Sequence, residues 1–538
     1  MIRGADILVR TLEDLGVKCI FTLSGNQIMP VFDAVIDSGI ELIHVRHEAA
    51  AVHMADAWGR STGRPGVALV TAGPGFANTL SALYVATMAE SPLVLISGQA
   101  PNNREGRGAF QEMTQEEMAS YVATSTKISN SDLLARYTRN ACSLATKGRC
   151  GPVHISIPID VLNAKSEADA FADGSPPPST FGSNEVESVM DALLRAERPM
   201  ILVGPALCRG ESWQKLQSWE AATHIPVVGM ESPRGVNDPS LGALAEILPQ
   251  TDFVLLLGKK MDFTLQPGGK VPFDEQCRFA QVDKIEVLEL SGRVLDDPSP
   301  CGQRIEADPQ RFIASMTGLA SQRKWPRSSW LDDVRSAIDY RPTEWNEIRS
   351  AGDQPLHAVE VCRAVNEFLS HDESSVFVSD GGEFGQWAQA CVSARHRIIN
   401  GPSGSIGSSI PFALAARKAF PNSRIVTMLG DGTFGFHPAE FDTAVRYGLP
   451  FVAVVGNDAA WNAEHQIQLR DYGAERTIGC ELLPTRYDEV ARAFGGHGEY
   501  VTRFEELAPA LKRAEQSGLP ACVNVAIQRT AAPVIRRV

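Results

Sequence analysis

Short unbroken runs of valine, isoleucine and leucine recur along the chain, each followed by a stretch long enough for a helix. In the first third they are VKCIFTL, IELIHV, GVALVTA, PLVLISG and GPVHISIP. Because these runs are continuous rather than alternating, they predict strands buried on both faces, in a parallel sheet with helices packed on each side. A second series follows (PMILVGP, IPVVGM, DFVLLLG, RFAQVD), then a third (SVFVSD, RIVTMLG, PFVAVVG, ACVNVAI). Between the first two series, from about Asn163 to Glu187, the chain turns small, polar and proline-rich (ADGSPPPSTFGSN), which reads as a linker. Residues around 322 to 355 read as another crossing. The expected fold class is therefore α/β, with three doubly wound parallel-sheet domains over 1–165, 186–322 and 355–538. The opening MIRGADILVRTLEDLG carries acids inside its apolar periodicity, so it reads as an amphipathic helix rather than a secretory signal.

Charge narrows the range of partners. With 50 basic and 64 acidic residues the net charge is −14, which argues against nucleic acid or an anionic membrane as the ligand. No apolar run approaches the roughly 18 residues of a membrane span. The ten cysteines are scattered without a C-x-x-C pair, as expected of reduced thiols in a cytoplasmic protein. Small-molecule substrates are the expected partners.

Chemistry concentrates where strands end, the usual ligand edge of an open parallel sheet. RIVTMLG delivers Asp431 between Gly430 and Gly432, and PFVAVV runs to Asn457 and Asp458. A crossover between two parallel strands puts both ends on one edge, so the two acids can converge. A hard divalent cation would explain such a pair, and glycine amides beside a helix start suit a diphosphate. A Gly-Asp turn with its acids acting only as helix caps is the plainer alternative. The spacing of 27 positions (458 minus 431), with an N-D doublet at the end of a second apolar strand, is more specific than that. A second acid, Glu48, opens a predicted helix in VRHEAAAVHMADAWGR, where a carboxylate favoured by the helix dipole would suffice as explanation.

Together these stretches resemble thiamine diphosphate (ThDP) enzymes, and the similarity spans the chain as a pyrimidine-binding, a central and a diphosphate-binding domain. The resemblance implies Asp431, Asp458 and the main-chain carbonyl of Ala460 as Mg²⁺ ligands. Asp458 stands where the family usually has asparagine. Gly430, Gly432 and Thr433, with Gly381 and Gly382 of SDGGEFGQW, would meet the diphosphate. Glu48 would share a proton with N1′ of the aminopyrimidine. Asn78, in TAGPGFAN, belongs to the pyrimidine side. Gly404 and Ile406, in NGPSGSIGSS, would hold the pyrimidine and keep the cofactor bent. In the family the glutamate and the metal site come from different subunits, which implies a homodimer, commonly paired into a homotetramer.

The similarity is nearest to the acetolactate synthase, benzaldehyde lyase and 2-hydroxyacyl-CoA lyase group. It implies a Mg²⁺-dependent carboligase or lyase that makes or breaks C–C bonds of 2-keto acids or 2-hydroxy ketones through a ylide and an enamine. Gln111, in GAFQEM, would hydrogen-bond reacting groups. Gln27 stands where benzaldehyde lyase has histidine; an amide can orient a carbonyl but cannot take a proton at neutral pH. Asn462, Ala463 and His465 follow the metal loop and are expected to line the substrate channel. The central domain could take FAD, or ADP or CoA, and Arg209, Lys259 and Lys260 could meet phosphates, although surface bases are usually only solvated. A 2-hydroxyacyl-CoA lyase or an oxalyl-CoA-type decarboxylase stays open as an alternative. So does a non-catalytic cofactor-binding protein, whose expected mark, loss of Glu48, is not seen. A nicotinamide oxidoreductase would also use glycine loops at parallel strand ends, and should show G-x-G-x-x-G with an acid about 20 residues on.

Overall fold

The computed structural model describes residues 1–166, 181–265, 272–284, 301–352 and 354–537. Three parallel sheets carry the fold. The first contains β1 (Cys19–Thr22), β2 (Glu41–His44), β3 (Gly66–Val70), β4 (Leu93–Gln99), β5 (Thr124–Lys127) and β6 (Pro152–Pro158). Its spatial order is β2-β1-β3-β4-β6-β5, parallel throughout. The second has β7 (Pro199–Val203), β8 (Val227–Gly229), β9 (Phe253–Leu257), β10 (Arg278–Asp283) and β11 (Cys301–Glu306), in the order β8-β7-β9-β10-β11. The third has β12 (Val376–Ser379), β13 (His396–Ile399), β14 (Ile425–Gly430), β15 (Val452–Asn457), β16 (His497–Val501) and β17 (Ala521–Ala526). Its order, β13-β12-β14-β15-β17-β16, repeats that of the first sheet.

The first and third sheets belong to one compact unit and the second sheet to another. The first sheet is covered on both faces, as its unbroken apolar strands require. Ile20, Leu69, Val94 and Ile96 pack with Leu8 and Leu12 of the helix Gly4–Asp14. Phe21, Ala68, Val70 and Leu95 face the other way, into a core shared with Val378, Leu429 and Val455 of the third sheet. Two alanine-rich helices, Glu48–Thr62 and Ser409–Ala419, meet in this core, where small side chains let them approach closely. Arg60 is held there by Asp56 at 2.6 Å and lies over the Phe412 ring, 4.9 Å from its centroid.

The apolar runs all became strands, and the expected N-terminal helix forms at Gly4–Asp14. Four described strands of the three parallel sheets had no such run: β5 (TSTK), β11, β13 (HRII) and β16 (HGEYV). Each lies at the edge of its sheet. An edge strand has one open side and tolerates polar residues, so the continuous apolar signal is lost. Of the stretch read as a linker, 167–180 lies outside the described residues, and its two ends are more ordered than expected. Lys165–Ser166 pairs antiparallel with Ile2–Arg3, and an amphipathic helix starts at Ser183. The crossing around 322–355 contains its own helix, Trp330–Asp339, whose Trp330, Val334 and Ala337 are buried.

Candidate active site

β14 and β15 pair in register, Gly430 opposite Gly456, so Asp431 and Asp458 leave adjacent strands at the same edge. Asp431 opens a short helix, Asp431–Phe434, and is 2% exposed. Its Oδ2 is buried without a hydrogen-bond partner. Burial pushes its carboxyl up to about 6, against the pull of the amides of Gly432, Ala460 and Ala459. Burial and then the charge of Asp431 push Asp458 up to about 7. Two desolvated carboxylates that raise each other's cost of ionisation, one with an unsatisfied oxygen, are an arrangement a cation relieves. Among the described residues no group of three or more His, Cys, Asp or Glu side chains could hold a metal. A cation bound here would therefore need main-chain or ligand oxygens to complete its shell.

The loop around these acids is tightly built. A Cβ on Gly432 would lie 2.6 Å from the Trp461 ring, so the backbone can pass beneath the indole only as glycine. Ala459 has φ +54°, a left-handed conformation costly for a residue with a Cβ. Its carbonyl is held by the amide of Leu482 at 2.8 Å, and the amide of Trp461 donates to the carbonyl of Cys480 at 2.8 Å. Thr433 is buried beside Gly432. On the neighbouring strand, Gly381 and Gly382 start the helix Gly382–Cys391. Asp380, just before them, is fully buried and accepts hydrogen bonds from the amides of Gly381 (2.8 Å), Gly407 (3.1 Å) and Ser409 (3.0 Å). It thereby ties the Gly381 turn to the loop carrying Gly404 (φ +69°) and Ile406. A Cβ on Gly381 would come within 2.9 Å of the Ile406 side chain.

The first sheet presents different groups at its strand ends. Glu48 is the first residue of its helix, capped by His47, whose ring nitrogen accepts from the Ala49 amide. Its Oε2 accepts a hydrogen bond from Asn78 Nδ2 at 2.9 Å. Gln27 is buried; its Oε1 accepts from Thr71 Oγ1 at 2.6 Å and its Nε2 donates to the Phe110 carbonyl at 3.3 Å. Gln111 has φ +60° and lies against Gly73, where a Cβ would be 2.8 Å from the Gln111 carbonyl. Its Oε1 is buried and unpartnered. The 71–78 turn thus gathers Glu48, Asn78, Gln27 and Gln111 around it. Phe110 stands largely exposed beside them.

Of the residues expected in the substrate channel, Asn462 is buried and turned to its own chain, donating to the Thr530 carbonyl at 3.0 Å and accepting from Gln466. Ala463 and His465 are half-buried on the helix Asn462–Tyr472, and His465 Nδ1 has no partner. In the second unit, Lys259 is buried and bonded to Asp262 (2.9 Å) and to the Lys260 carbonyl, and Arg209 donates to the Pro205 carbonyl. Both bases are engaged within the fold.

Several residues that shape the site gave no sequence signal of their own. Gln115 accepts from the Gly73 amide at 2.7 Å and donates to Ser97 Oγ and the Gly98 carbonyl, fixing the turn beside Gln111. His154 bridges Ser97 and Ser125 beneath it, and burial pulls its pKa down to about 3, keeping it neutral. Glu440 is buried and accepts from the Arg46 amide at 3.0 Å and from Thr443, so the helix after the Asp431 loop anchors the segment leading into Glu48. His437 lies with its ring centroid 5.8 Å from those of His47 and His53. Such partners are scattered through the chain, and only the fold assembles them.

A protein-family model described as the thiamine pyrophosphate enzyme N-terminal TPP binding domain matches residues 2–118, and its C-terminal TPP binding counterpart matches 380–525. A probable acetolactate synthase of Mycobacterium bovis is 33% identical over 537 residues, covering 96% of this chain and 94% of that protein. The 2-hydroxyacyl-CoA lyase 2 of Bos taurus is 29% identical over 583 residues (98% and 90%), and the human 2-hydroxyacyl-CoA lyase 1 is 27% identical over 552 (98% and 95%). The chain belongs to the thiamine pyrophosphate enzyme family. It is a ThDP-dependent enzyme that acts on carbon–carbon bonds. No helix among the described residues is long and apolar enough to cross a membrane.

Proposed function

We propose that the enzyme is a Mg²⁺-dependent carboligase or lyase of 2-keto acids or 2-hydroxy ketones, acetolactate synthase-like or benzaldehyde lyase-like. The observation that carries the cofactor assignment is the desolvated pair Asp431 and Asp458, with one carboxylate oxygen left unpartnered. Asp431, Asp458 and the Ala460 carbonyl would hold Mg²⁺, and the Gly430–Thr433 turn with Gly381 and Gly382 would receive the diphosphate. When bound, ThDP supplies a carbon nucleophile for the donor carbonyl. Glu48, steadied by Asn78, holds a proton at the pyrimidine nitrogen N1′. Ile406 and Gly404, set by Asp380, support the ring. Gln27 and Gln111 orient a substrate carbonyl or hydroxyl by hydrogen bonds, and neither acts as an acid or base at neutral pH. Asn462, Ala463 and His465, which follow the metal loop, would line the substrate channel.

In this reading 1–165 is the pyrimidine-binding domain, 186–322 the central domain and 355–538 the diphosphate-binding domain. The complete site then forms in a homodimer or homotetramer, each Glu48 serving a partner's metal loop. Cysteines that are buried or half-buried among the described residues, and scattered without a C-x-x-C pair, suit a cytoplasmic setting. The likeness to 2-hydroxyacyl-CoA lyases supports a second reading, cleavage of a 2-hydroxyacyl thioester. The deciding experiment incubates the Mg²⁺–ThDP enzyme with pyruvate, benzoin and a 2-hydroxyacyl-CoA in parallel. Carbon dioxide with an acetohydroxy acid from pyruvate supports the first reading. Aldehyde from the thioester alone replaces it with the second.

A further inference from the structure

The pair Asp431 and Asp458 stands beside one cation of the described structure, Arg529, which follows β17. Its Nε donates to the Asp458 carbonyl and one terminal nitrogen to the Ala459 carbonyl, both at 2.9 Å. The outer edge of the same guanidinium meets Glu481, at 2.7 and 2.6 Å. Two successive carbonyls are thus gripped immediately before Ala460, the second of them on Ala459, the residue of the turn forced into a left-handed conformation. Glu481 also bridges Ala460 from the facing segment, so Arg529, 480–482 and the turn form one assembly. The guanidinium is only partly exposed and feels the charges of both Asp458 and Asp431.

We propose that Arg529 is a positioning residue of the metal–diphosphate loop, fixing the 458–460 backbone and supplying the positive charge that lets two carboxylates face a polyanionic ligand. This rests on the reading that Asp431 and Asp458 hold Mg²⁺ and the diphosphate. Two acids suit the cation but repel the diphosphate, and a neighbouring arginine offsets that repulsion without occupying the cation's place. A mere backbone clamp would affect cation and diphosphate alike. A counter-charge affects them in opposite senses.

The test is a double-mutant cycle on the full chain. ThDP binding is measured by calorimetry at saturating Mg²⁺, and Mn²⁺ binding without ThDP by electron paramagnetic resonance. Arg529→Met is expected to weaken ThDP binding about tenfold while Mn²⁺ binds as tightly as before or tighter. In an Asp458→Asn background the same substitution should cost less than about threefold, because the repulsion it exposes is already reduced. Arg529→Lys keeps the charge and should recover most of the lost affinity. Equal losses in both backgrounds, or a lysine no better than methionine, would overturn the proposal. If Arg529→Met fails to fold, Glu481→Gln at the exposed end of the pair serves instead: with its counter-ion removed the guanidinium should favour the diphosphate more, so ThDP binding should tighten, and unchanged or weaker binding refutes the idea. Should wild type and Asp431→Ala take up Mn²⁺ equally, the metal reading itself has failed, and this proposal goes with it.

Discussion

The first and third sheets have the same strand order and are parallel throughout, yet their carboxyl ends carry opposite chemistries. The third sheet ends in acids and glycines: Asp380 before Gly381, Asp431 between two glycines, Asp458 before a strained alanine. The first ends in amides around a single acid: Gln27, Gln111 and Gln115 near Glu48. In the proposed reading one topology serves an anchoring edge for a cation and phosphates, and an activating edge for a neutral heterocycle and a substrate. The division of labour lies in the loops, as expected when a scaffold is reused.

That contrast can be broken by substitution. If the first sheet activates and the third anchors, Glu48→Gln should cut turnover by about 10³ while ThDP affinity changes less than about threefold. Turnover assays beside calorimetry would check this, and near-normal turnover would remove Glu48 from the chemistry. Asp431→Ala should do the reverse, lowering Mg²⁺-dependent ThDP affinity by about 100-fold, as loss of charge-assisted contacts predicts. Equilibrium dialysis at several Mg²⁺ concentrations measures it.

The seam between the two sheets gives a pH test. Burial pushes the Glu440 carboxyl up to about 7, with Thr443 and the Arg46 amide pulling more weakly the other way. Its folded form holds a proton more tightly than the unfolded chain, where glutamate titrates near about 4.3. Its stabilising contribution is therefore complete at low pH and is lost as pH rises through 7. Glu440→Gln should gain about 2–3 kcal/mol relative to wild type between pH 5 and pH 8, read from denaturant melts at each pH. A pH-independent difference would show that Glu440 stays charged throughout. The smallest effect is expected on the first sheet's turn. Gly73 has φ +58° and no room for a Cβ, so Gly73→Ala should cost about 1–3 kcal/mol and displace Gln111, with kcat/KM falling about tenfold. Thermal melts and kinetics on the same samples would check it.

What could be read directly was whatever the chain repeats or concentrates. The apolar runs located every interior strand of the three parallel sheets, and the G-D-G triplet and N-D doublet at their ends single out Asp431 and Asp458 from sequence alone. Edge strands such as TSTK and HGEYV escaped because half their surface is not buried. Gln115, His154 and Asp380 escaped for another reason. Their roles are hydrogen bonds to backbone amides or hydroxyls far away in sequence, and an isolated glutamine or histidine looks the same whether or not such partners exist. The left-handed backbone at Gln111 and Ala459 is likewise imposed by packing and runs against local preference.

The apolar interior common to the first and third sheets has a consequence for biosynthesis. The helix Glu48–Thr62, which covers Phe21 and Val70, finishes its packing against the helix Ser409–Ala419, which leaves the ribosome more than 300 residues later. At about 5–20 residues per second the nascent N-terminal third waits on the order of tens of seconds with this face uncovered. The alanine-rich surface of the Glu48 helix offers little adhesive area during that wait, so the composition that permits close docking at the end also limits misassociation on the way.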